Sequence, residues 1–204
     1  MEDPIINNNN CIWVGPKKHA VTTVLGGGNF INFVGITEKP FNPKALYPKN
    51  YKTIALSDFR GWNKQLVSII EAADIVHQWP IYKARYFSKW SDGKVVIIGD
   101  AAHPMVPSMA QGASQALEDA AVLAETLKHS LNVQKSLQIF YESRINRTRK
   151  IQAISLRNLI TFHISNYFIR KLIYIGAKVM TKITKKFLVN RLNRIYSYTV
   201  DRKN

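Results

Sequence analysis

Residues that could bind a ligand are concentrated between Gly99 and Ala113. There, an apolar run ends at Asp100, a loop of small residues and prolines follows, and Gln111, Gly112 and Ala113 open a stretch rich in Ala and Leu. A carboxylate at the end of a buried strand can accept hydrogen bonds from ligand hydroxyls, and N–H groups at the start of a helix can face negative charge. The pattern therefore predicts a site for a polyhydroxylated or anionic ligand.

The same residues also allow an interpretation without a ligand. Asp100 would then cap a turn and Gly112 would end a loop, as isolated Gly-Asp pairs and loop glycines commonly do. Spacing alone leaves both interpretations open.

The elements on either side must position this segment. After a turn at Ser91-Asp92-Gly93, the four consecutive β-branched residues Val95–Ile98 predict a strand buried on both faces, as in parallel sheets. A helix is predicted over Gln111–His129, and a second helix runs from Val133 to about Ser155.

The N-terminal part predicts a small antiparallel meander, because short β-rich runs alternate with Gly and Pro. The predicted strands are Cys11–Val14, His19–Leu25 and Asn29–Ile36. They are followed by a proline-containing loop over Glu38–Lys52, a helix over Asp58–Glu71 capped by Ser57 or Asp58, and an extended stretch over Ile75–Phe87.

These elements predict an α+β fold with three regions. Residues 1–90 form a β-sheet region with one helix, residues 91–130 form the strand-loop-helix segment, and residues 131–204 form basic C-terminal helices.

The positive charge is concentrated at the C-terminal end. Of a net charge of +16, residues 144–204 contribute +14, with 15 Lys and Arg against Asp201 alone. An apolar stripe at helical spacing from Ile169 to Ile195 runs between these cations. The commoner interpretation is a helix that packs its stripe on the domain with a solvated basic face. The alternative is an interfacial helix on a membrane surface, and no nucleic-acid partner is predicted.

Several classes of protein are disfavoured by the sequence. Cys11 is the single cysteine, which predicts no disulfide, no zinc site and, by default, a cytoplasmic location that could be peripheral at a membrane. Residues 1–20 have no signal-peptide pattern, and the apolar stretch 151–169 contains Arg157 and several polar residues, so no membrane span is predicted.

The string from Gly99 to Ala113, continued by Glu118-Asp119-Ala120, closely resembles the second flavin-binding motif of class A flavoprotein monooxygenases, the p-hydroxybenzoate hydroxylase and salicylate hydroxylase type. Further segments resemble the substrate-domain hairpins, the strand leading to the motif, the helix after it and the C-terminal ending of the subgroup. These are Trp13–Pro16 with His19 and glycines 26–28, His77–Tyr82, Tyr141–Arg144 with Arg147, and Arg191–Tyr196.

The resemblance implies FAD as the cofactor. In the family, the aspartate bonds the ribityl chain, which here is the role of Asp100. The helix N-terminus faces the N1 and C2 carbonyl side of the isoalloxazine ring, where about half a positive charge suits the anionic reduced flavin. The implied cofactor-binding residues are Gly99, Asp100, Pro107 beside the ring, Gln111, Gly112 and Ala113.

One position departs from the family pattern. Ala110 stands where the family usually has the first glycine of Gly-Gln-Gly. If the turn requires a positive φ, alanine would strain it by roughly 1 kcal/mol.

The family's opening Gly-x-Gly-x-x-Gly, which holds the FAD pyrophosphate, and its mid-chain Asp-Gly motif are not found in the sequence. The chain is therefore expected to correspond to the C-terminal portion of a family member, ending where the family ends. A separate chain could supply the dinucleotide-binding half.

The resemblance implies hydroxylation of a small aromatic substrate with NAD(P)H and O2. Residues 11–36 and 75–87 would form the substrate-side sheet, and its polar candidates, all more commonly structural, are His19, His77, Tyr82 and Tyr86. His103 lies in the flavin loop but is not assigned as a base. The alternative function is a truncated, non-catalytic remnant acting as a basic membrane-surface or protein-binding module.

Overall fold

The computed structural model describes residues 10–40, 50–82, 86–128 and 132–200. The chain forms two compact units. Unit 1 comprises Met1–Pro80 and Phe162–Arg170, and unit 2 comprises Ile81–Thr161 and Lys171–Asn204. The mixture of helices and small antiparallel sheets confirms the predicted α+β class, whereas the division into three regions stays a prediction.

Unit 1 contains the predicted antiparallel meander. Strands β1 (Cys11–Gly15), β2 (Lys18–Leu25) and β3 (Phe30–Thr37) pair in the order β1-β2-β3, with Ala20 opposite both Trp13 and Gly35. All three predicted strands are therefore recovered to within one residue at each end, which is inside the usual uncertainty of strand ends.

Two short helices follow where one was predicted. Helix α1 is Tyr51–Asp58 and helix α2 is Lys64–Ala72. The break between them has Gly61 at φ +76°, and Asn63 caps the start of α2, because its side chain accepts a hydrogen bond from the Gln65 N–H at 2.8 Å. The prediction of one helix with a cap at Ser57 or Asp58 is therefore wrong. Most of the predicted loop over 38–52 lies outside the described residues.

The core of unit 1 joins the sheet to these helices. Ala20, Phe59, Leu66 and Ile70 are buried together. Burying side chains of the size of Leu or Ile stabilises a fold by about 1.5–3 kcal/mol each. Gly35 permits this packing, because a Cβ at that position would lie 2.7 Å from ring atoms of Phe33 and Phe59.

A buried histidine pair links the sheet to the residue that follows helix α4 (Val133–Phe162). His19 Nδ1 and His163 Nε2 are 2.6 Å apart, and His163 Nδ1 lies 2.6 Å from Glu38 Oε1. The consistent proton assignment has His19 Nδ1–H donating to His163, and His163 Nδ1–H donating to Glu38. Burial, followed by the neighbouring His163, lowers the pKa of His19 to about 4.

The strands of unit 2 form a short hairpin. Strands β4 (Ser91–Asp92) and β5 (Val95–Val96) pair antiparallel, and Val95 is 69% exposed. The prediction that Val95–Ile98 is a strand buried on both faces is therefore wrong for the described residues. Residues 75–82 and 86–87 belong to no strand either, so the predicted substrate-side sheet is limited to β1–β3.

Two helices follow the predicted ligand segment in unit 2. Helix α3 is Gly112–Lys128, close to the predicted bounds, and α4 is longer than predicted. Trp90, Ala102, Phe140 and Ile145 form the buried core between hairpin, loop and helices.

The C-terminal stripe is divided between helices α5 (Tyr167–Ile183) and α6 (Lys185–Tyr196). Ile195 is buried, but residues 171–180 are all exposed, so the predicted packing of the stripe is wrong for this part of α5. Within the described part of the chain, no helix combines the length and apolar character needed to cross a membrane.

Candidate functional site

The ligand segment starts at a tight turn that depends on Gly99. Its φ is +59°, and a Cβ there would lie 3.1 Å from the Cβ of Ala116. The Gly99 carbonyl accepts hydrogen bonds from the N–H groups of Ala102 and His103, at 3.0 and 2.9 Å. Glycine at this position therefore provides both the left-handed conformation and the close approach to α3.

Asp100, the next residue, is exposed and lies against the start of α3. Its Oδ1 is 3.6 Å from where a Cβ on Gly112 would be. The structure thus brings together two predicted site residues that are 12 positions apart in the sequence. A carboxylate acceptor and the N–H groups of a helix N-terminus share one small surface.

The N-terminus of α3 supplies the donors. The first N–H groups of a helix have no acceptor inside that helix, and the aligned peptide dipoles place about half a positive charge there. Gly112 and Ala113 contribute such groups, and Ala113 is exposed. Gln111 is buried, and its carbonyl accepts the Gln115 N–H at 2.9 Å. Gln111 therefore anchors the turn, while the next residues face outward.

The turn before α3 places Ala110 in the left-handed region, which alanine disfavours. Pro107–Met109 is a 3-10 turn, and Ala110 follows with φ 50° and ψ 37°. The Ala110 N–H donates to the Pro107 carbonyl at 3.0 Å. Alanine in this left-handed region costs roughly 1 kcal/mol relative to glycine. The strain expected from Ala110 is therefore present.

Helices α4 and α6 hold the other side of the loop. The Gln152 side chain donates to the Pro104 carbonyl at 2.9 Å, and the Tyr196 hydroxyl donates to the Met109 carbonyl at 3.0 Å. Ser108 also donates through its hydroxyl to the backbone of α4. Side chains from two helices thus satisfy loop carbonyls that would otherwise be unpaired, which fixes the loop.

A buried ionic cluster lies beneath the turn. Asp119, which is 0% exposed, accepts hydrogen bonds from the Gly99 N–H at 2.9 Å, from His103 Nε2 at 2.5 Å and from Arg144 Nε at 2.7 Å. Arg144 is also 0% exposed and reaches Glu118 at 2.6 Å. Arg147 donates to both Glu118 oxygens, at 2.6 and 2.7 Å.

The cluster holds both carboxylates in their ionised form. Burial by itself raises the pKa of Asp119, but hydrogen bonds from His103, the Gly99 N–H and Arg144 outweigh it and keep that pKa below its ordinary value. Burial by itself also raises the pKa of Glu118. The hydrogen bonds and positive charges of Arg147 and Arg144 outweigh this effect, so the pKa of Glu118 is below its ordinary value. The Gly99 turn is therefore hydrogen-bonded to the Asp119 carboxylate, which stays ionised at neutral pH.

His103 has a structural role in this loop. It is 2% exposed, its ring centroid lies 5.1 Å from that of Trp90, and Nε2–H donates to Asp119. Its Nδ1 has no hydrogen-bond partner among the described residues. A buried imidazole held this way positions the loop, which agrees with leaving it unassigned as a base.

The other polar candidates are not part of this surface. His19 is buried in unit 1 against His163, and His77 is exposed with its ring 5.4 Å from Trp79. Tyr82 and Tyr86 are exposed in irregular segments, at 64% and 56%.

Asp119 and Arg144 were not predicted as site residues. The sequence contains one signal for them. Glu118 and Asp119 are adjacent acidic residues in an Ala-rich helix, and Arg144 and Arg147 are three positions apart on the next helix. Residues three apart share a helix face, so the pattern indicates paired charges.

The family described as FAD binding domain matches residues 56–154. The chain is 32% identical over 154 residues to the 3-amino-4-hydroxybenzoate 2-monooxygenase PtmB3 of Streptomyces platensis, covering 74% of this chain and 39% of that protein. It is 30% identical over 149 residues to the 6-hydroxynicotinate 3-monooxygenase of Bordetella bronchiseptica, covering 72% of this chain and 39% of that protein. The chain thus spans about two fifths of the length of these relatives.

Among solved structures, a salicylate hydroxylase substrate complex superimposes with a TM-score of 0.70 at 23% identity, covering 97% of this chain and 49% of that one. The fold is therefore shared over nearly the whole chain. Family match, relatives and fold agree with the motif at Gly99–Ala113, and the chain belongs to the class A FAD-dependent aromatic monooxygenases.

Proposed function

We propose that this chain is the part of an FAD-dependent aromatic monooxygenase that holds the ribityl chain and the ring end of the flavin. The observation that carries the proposal is the placement of the Asp100 carboxylate beside Gly112 at the N-terminus of α3. One group there accepts hydrogen bonds and the other attracts negative charge.

The surface fits the chemistry of this cofactor. Ribityl hydroxyls are donors, and the exposed Asp100 carboxylate is an acceptor with two oxygens. The N1 and C2 carbonyl side of the flavin ring becomes anionic on reduction, and the Gly112 and Ala113 N–H groups suit it. Because Gly112 has no side chain, a planar ring can approach these groups closely.

Within this proposal each residue of the chain has a defined task. Asp100 orients the ribityl chain, Gly112 and Ala113 stabilise negative charge at the ring, and Pro107 limits the space beside it. Gly99 and Gln111 hold the turn in shape from below. When bound, the flavin supplies the redox chemistry that transfers oxygen to an aromatic ring.

The complete reaction requires parts beyond those assigned to this chain. A dinucleotide-binding half, from a separate chain or a preceding segment, would hold the FAD pyrophosphate, and NAD(P)H would be the electron donor. The two relatives described above act, by their names, on a substituted hydroxybenzoate and a hydroxynicotinate. We therefore propose a small aromatic acid as the substrate class.

The proposal is tested by titrating the purified chain with FAD and following flavin fluorescence and visible absorbance. Asp100→Asn removes the charge while keeping the size. Loss of hydrogen bonds to a charged acceptor, about 1.5–3 kcal/mol, should weaken binding by about 10-fold to 150-fold.

Asp92→Asn is the matched control, because Asp92 is an exposed carboxylate of the same unit paired with Lys89. It should leave the Kd unchanged. Absence of saturable binding at millimolar FAD, or equal Kd values for the two variants, would overturn the proposed site.

A further inference from the structure

The peptide unit between Met109 and Ala110 is hydrogen-bonded at both ends. Its N–H, which belongs to Ala110, donates to the Pro107 carbonyl at 3.0 Å. Its carbonyl, which belongs to Met109, accepts from the Tyr196 hydroxyl at 3.0 Å. The first bond lies inside the turn, whereas the second comes from α6, 87 positions away in the chain. A residue distant in sequence therefore fixes the orientation of one peptide unit just before α3.

This peptide unit is held in an orientation that its sequence disfavours. Ala110 has φ 50°, in the left-handed region, where alanine is less favourable than glycine. Rotating the unit by about half a turn changes ψ of Met109 and φ of Ala110 together and takes Ala110 out of this region. The buried Met109 side chain can stay in place during such a rotation. Rotation would relieve the strain but break both hydrogen bonds.

Rotation of the unit would reach the flavin surface through the Pro107 turn. It would place the Met109 carbonyl where the Ala110 N–H is now, so that two carbonyls face each other and the Pro107–Met109 turn loses its closing hydrogen bond. Pro107 and Gly112, which lie on either side of this unit, would then lose their fixed separation. In the proposed function these two residues form the wall and the helix start beside the flavin ring.

The backbone around Tyr196 is anchored independently of this bond. The preceding residue, Ile195, is buried, and its carbonyl accepts a hydrogen bond from the Arg147 guanidinium at 3.0 Å. Arg147 also donates to Glu118 of α3, and its guanidinium lies 3.9 Å from the ring centroid of Tyr198. The Tyr196 side chain itself is 53% exposed. Tyr196 therefore has a fixed backbone and contributes little to the core, which leaves its hydroxyl as the group that acts on the loop.

We propose that Tyr196 is a positioning residue of the flavin site. Its hydroxyl holds the Met109–Ala110 unit in the strained orientation that the Pro107 turn and the start of α3 require. Glycine at position 110 adopts this orientation without help, so alanine makes the hydrogen bond from Tyr196 necessary. The inference rests on the proposed function, because the site that Tyr196 positions is the one assigned there to FAD.

The first test is FAD titration of the full chain carrying Tyr196→Phe, which removes only the hydroxyl. A hydrogen bond of this kind changes an equilibrium by about 2-fold to 12-fold, so the Kd for FAD should rise within this range. Tyr174→Phe is the matched control, because Tyr174 is an exposed tyrosine of the same unit, at 66%. It should leave the Kd unchanged.

The second test combines Tyr196→Phe with Ala110→Gly, which distinguishes positioning from a general structural role. Because glycine favours the left-handed region by itself, the double variant should bind FAD within about twofold of Ala110→Gly alone. A tyrosine that only stabilised α6 would weaken FAD binding by the same factor with either residue at position 110.

Hydrogen exchange of peptides covering residues 105–115 provides a readout without FAD. Tyr196→Phe should make exchange there about 2-fold to 12-fold faster, and Ala110→Gly should remove most of this difference. Unchanged exchange and Kd in Tyr196→Phe, or an equal effect with alanine and with glycine at position 110, would overturn the inference. Failure of the wild type to bind FAD would overturn the proposed function, and the exchange data would then decide alone whether Tyr196 holds the turn.

Discussion

Replacing Asp119 by Asn tests whether the buried ionic cluster holds the flavin loop. The two oxygens of Asp119 accept from Gly99, His103 and Arg144. Asparagine has one carbonyl oxygen and one NH2 group in their place. At least one of the three donors would then face another donor.

The magnitude follows from the burial of both partners. Asp119 and Arg144 are each 0% exposed, and breaking a buried ion pair by removing one partner costs about 3–5 kcal/mol. Glu118 remains within 2.6 Å of Arg144, so we expect the lower end, about 3 kcal/mol. The loss bears on the turn, because the Gly99 N–H and His103 share one Asp119 oxygen and Arg144 uses the other, so a single asparagine oxygen cannot serve the turn and Arg144 together.

Hydrogen exchange of peptides covering residues 95–105 measures this loss within unit 2 alone. When the opening equilibrium sets the exchange rate, a destabilisation of about 3 kcal/mol makes amide exchange at the Gly99 turn more than 100-fold faster. Asp92→Asn, at an exposed ion pair, should leave the same peptides unchanged. Exchange in Asp119→Asn within about fivefold of wild type would refute the reasoning.

Two further predictions concern strain and pH. Ala110→Gly should raise the free energy of unfolding by roughly 1 kcal/mol in urea titrations, because φ is 50° there, whereas the control Ala121→Gly in α3 should lower it by a similar amount. The pKa of His19 is lowered by burial and His163 to about 4, below its unfolded value, so the stability it contributes is complete above about pH 6.5 and is lost as pH falls towards 4. At pH 5 the loss should be about 2 kcal/mol in urea titrations compared with pH 7.5, and His19→Gln should flatten this dependence; an equally steep loss in His19→Gln would contradict the assignment.

Elements with local determinants were predictable from the sequence. The meander β1–β3 follows from short β-rich runs between Gly and Pro, and α3 follows from an Ala-rich stretch behind Gly112. The placement of Asp100 near the start of α3 was expected from the resemblance of Gly99–Ala113 to the flavin motif, whereas spacing alone left it open. The meander and α3 each depend on residues close together in the chain.

Features that depend on distant partners were not predictable. The Val95–Ile98 run has the composition of a central strand, but burial on both faces needs neighbouring strands, and β5 pairs only with β4. The Asp119–Arg144 hydrogen bond joins residues 25 positions apart. It depends on which faces α3 and α4 turn towards each other, and the sequence does not show this. Exposure of the α5 stripe likewise depends on what packs against it, which periodicity does not reveal.

Unit 1 is built from two segments that are separated in the chain, and this has a consequence for biosynthesis. Its sheet is synthesised before residues 81–161, yet the partner of buried His19 is His163, which emerges from the ribosome after that whole segment of unit 2. At about 5–20 residues per second, translation from Pro80 to Phe162 takes about 4–16 s. During that interval β1–β3 lack the buried contact with His163 that they have in the finished chain.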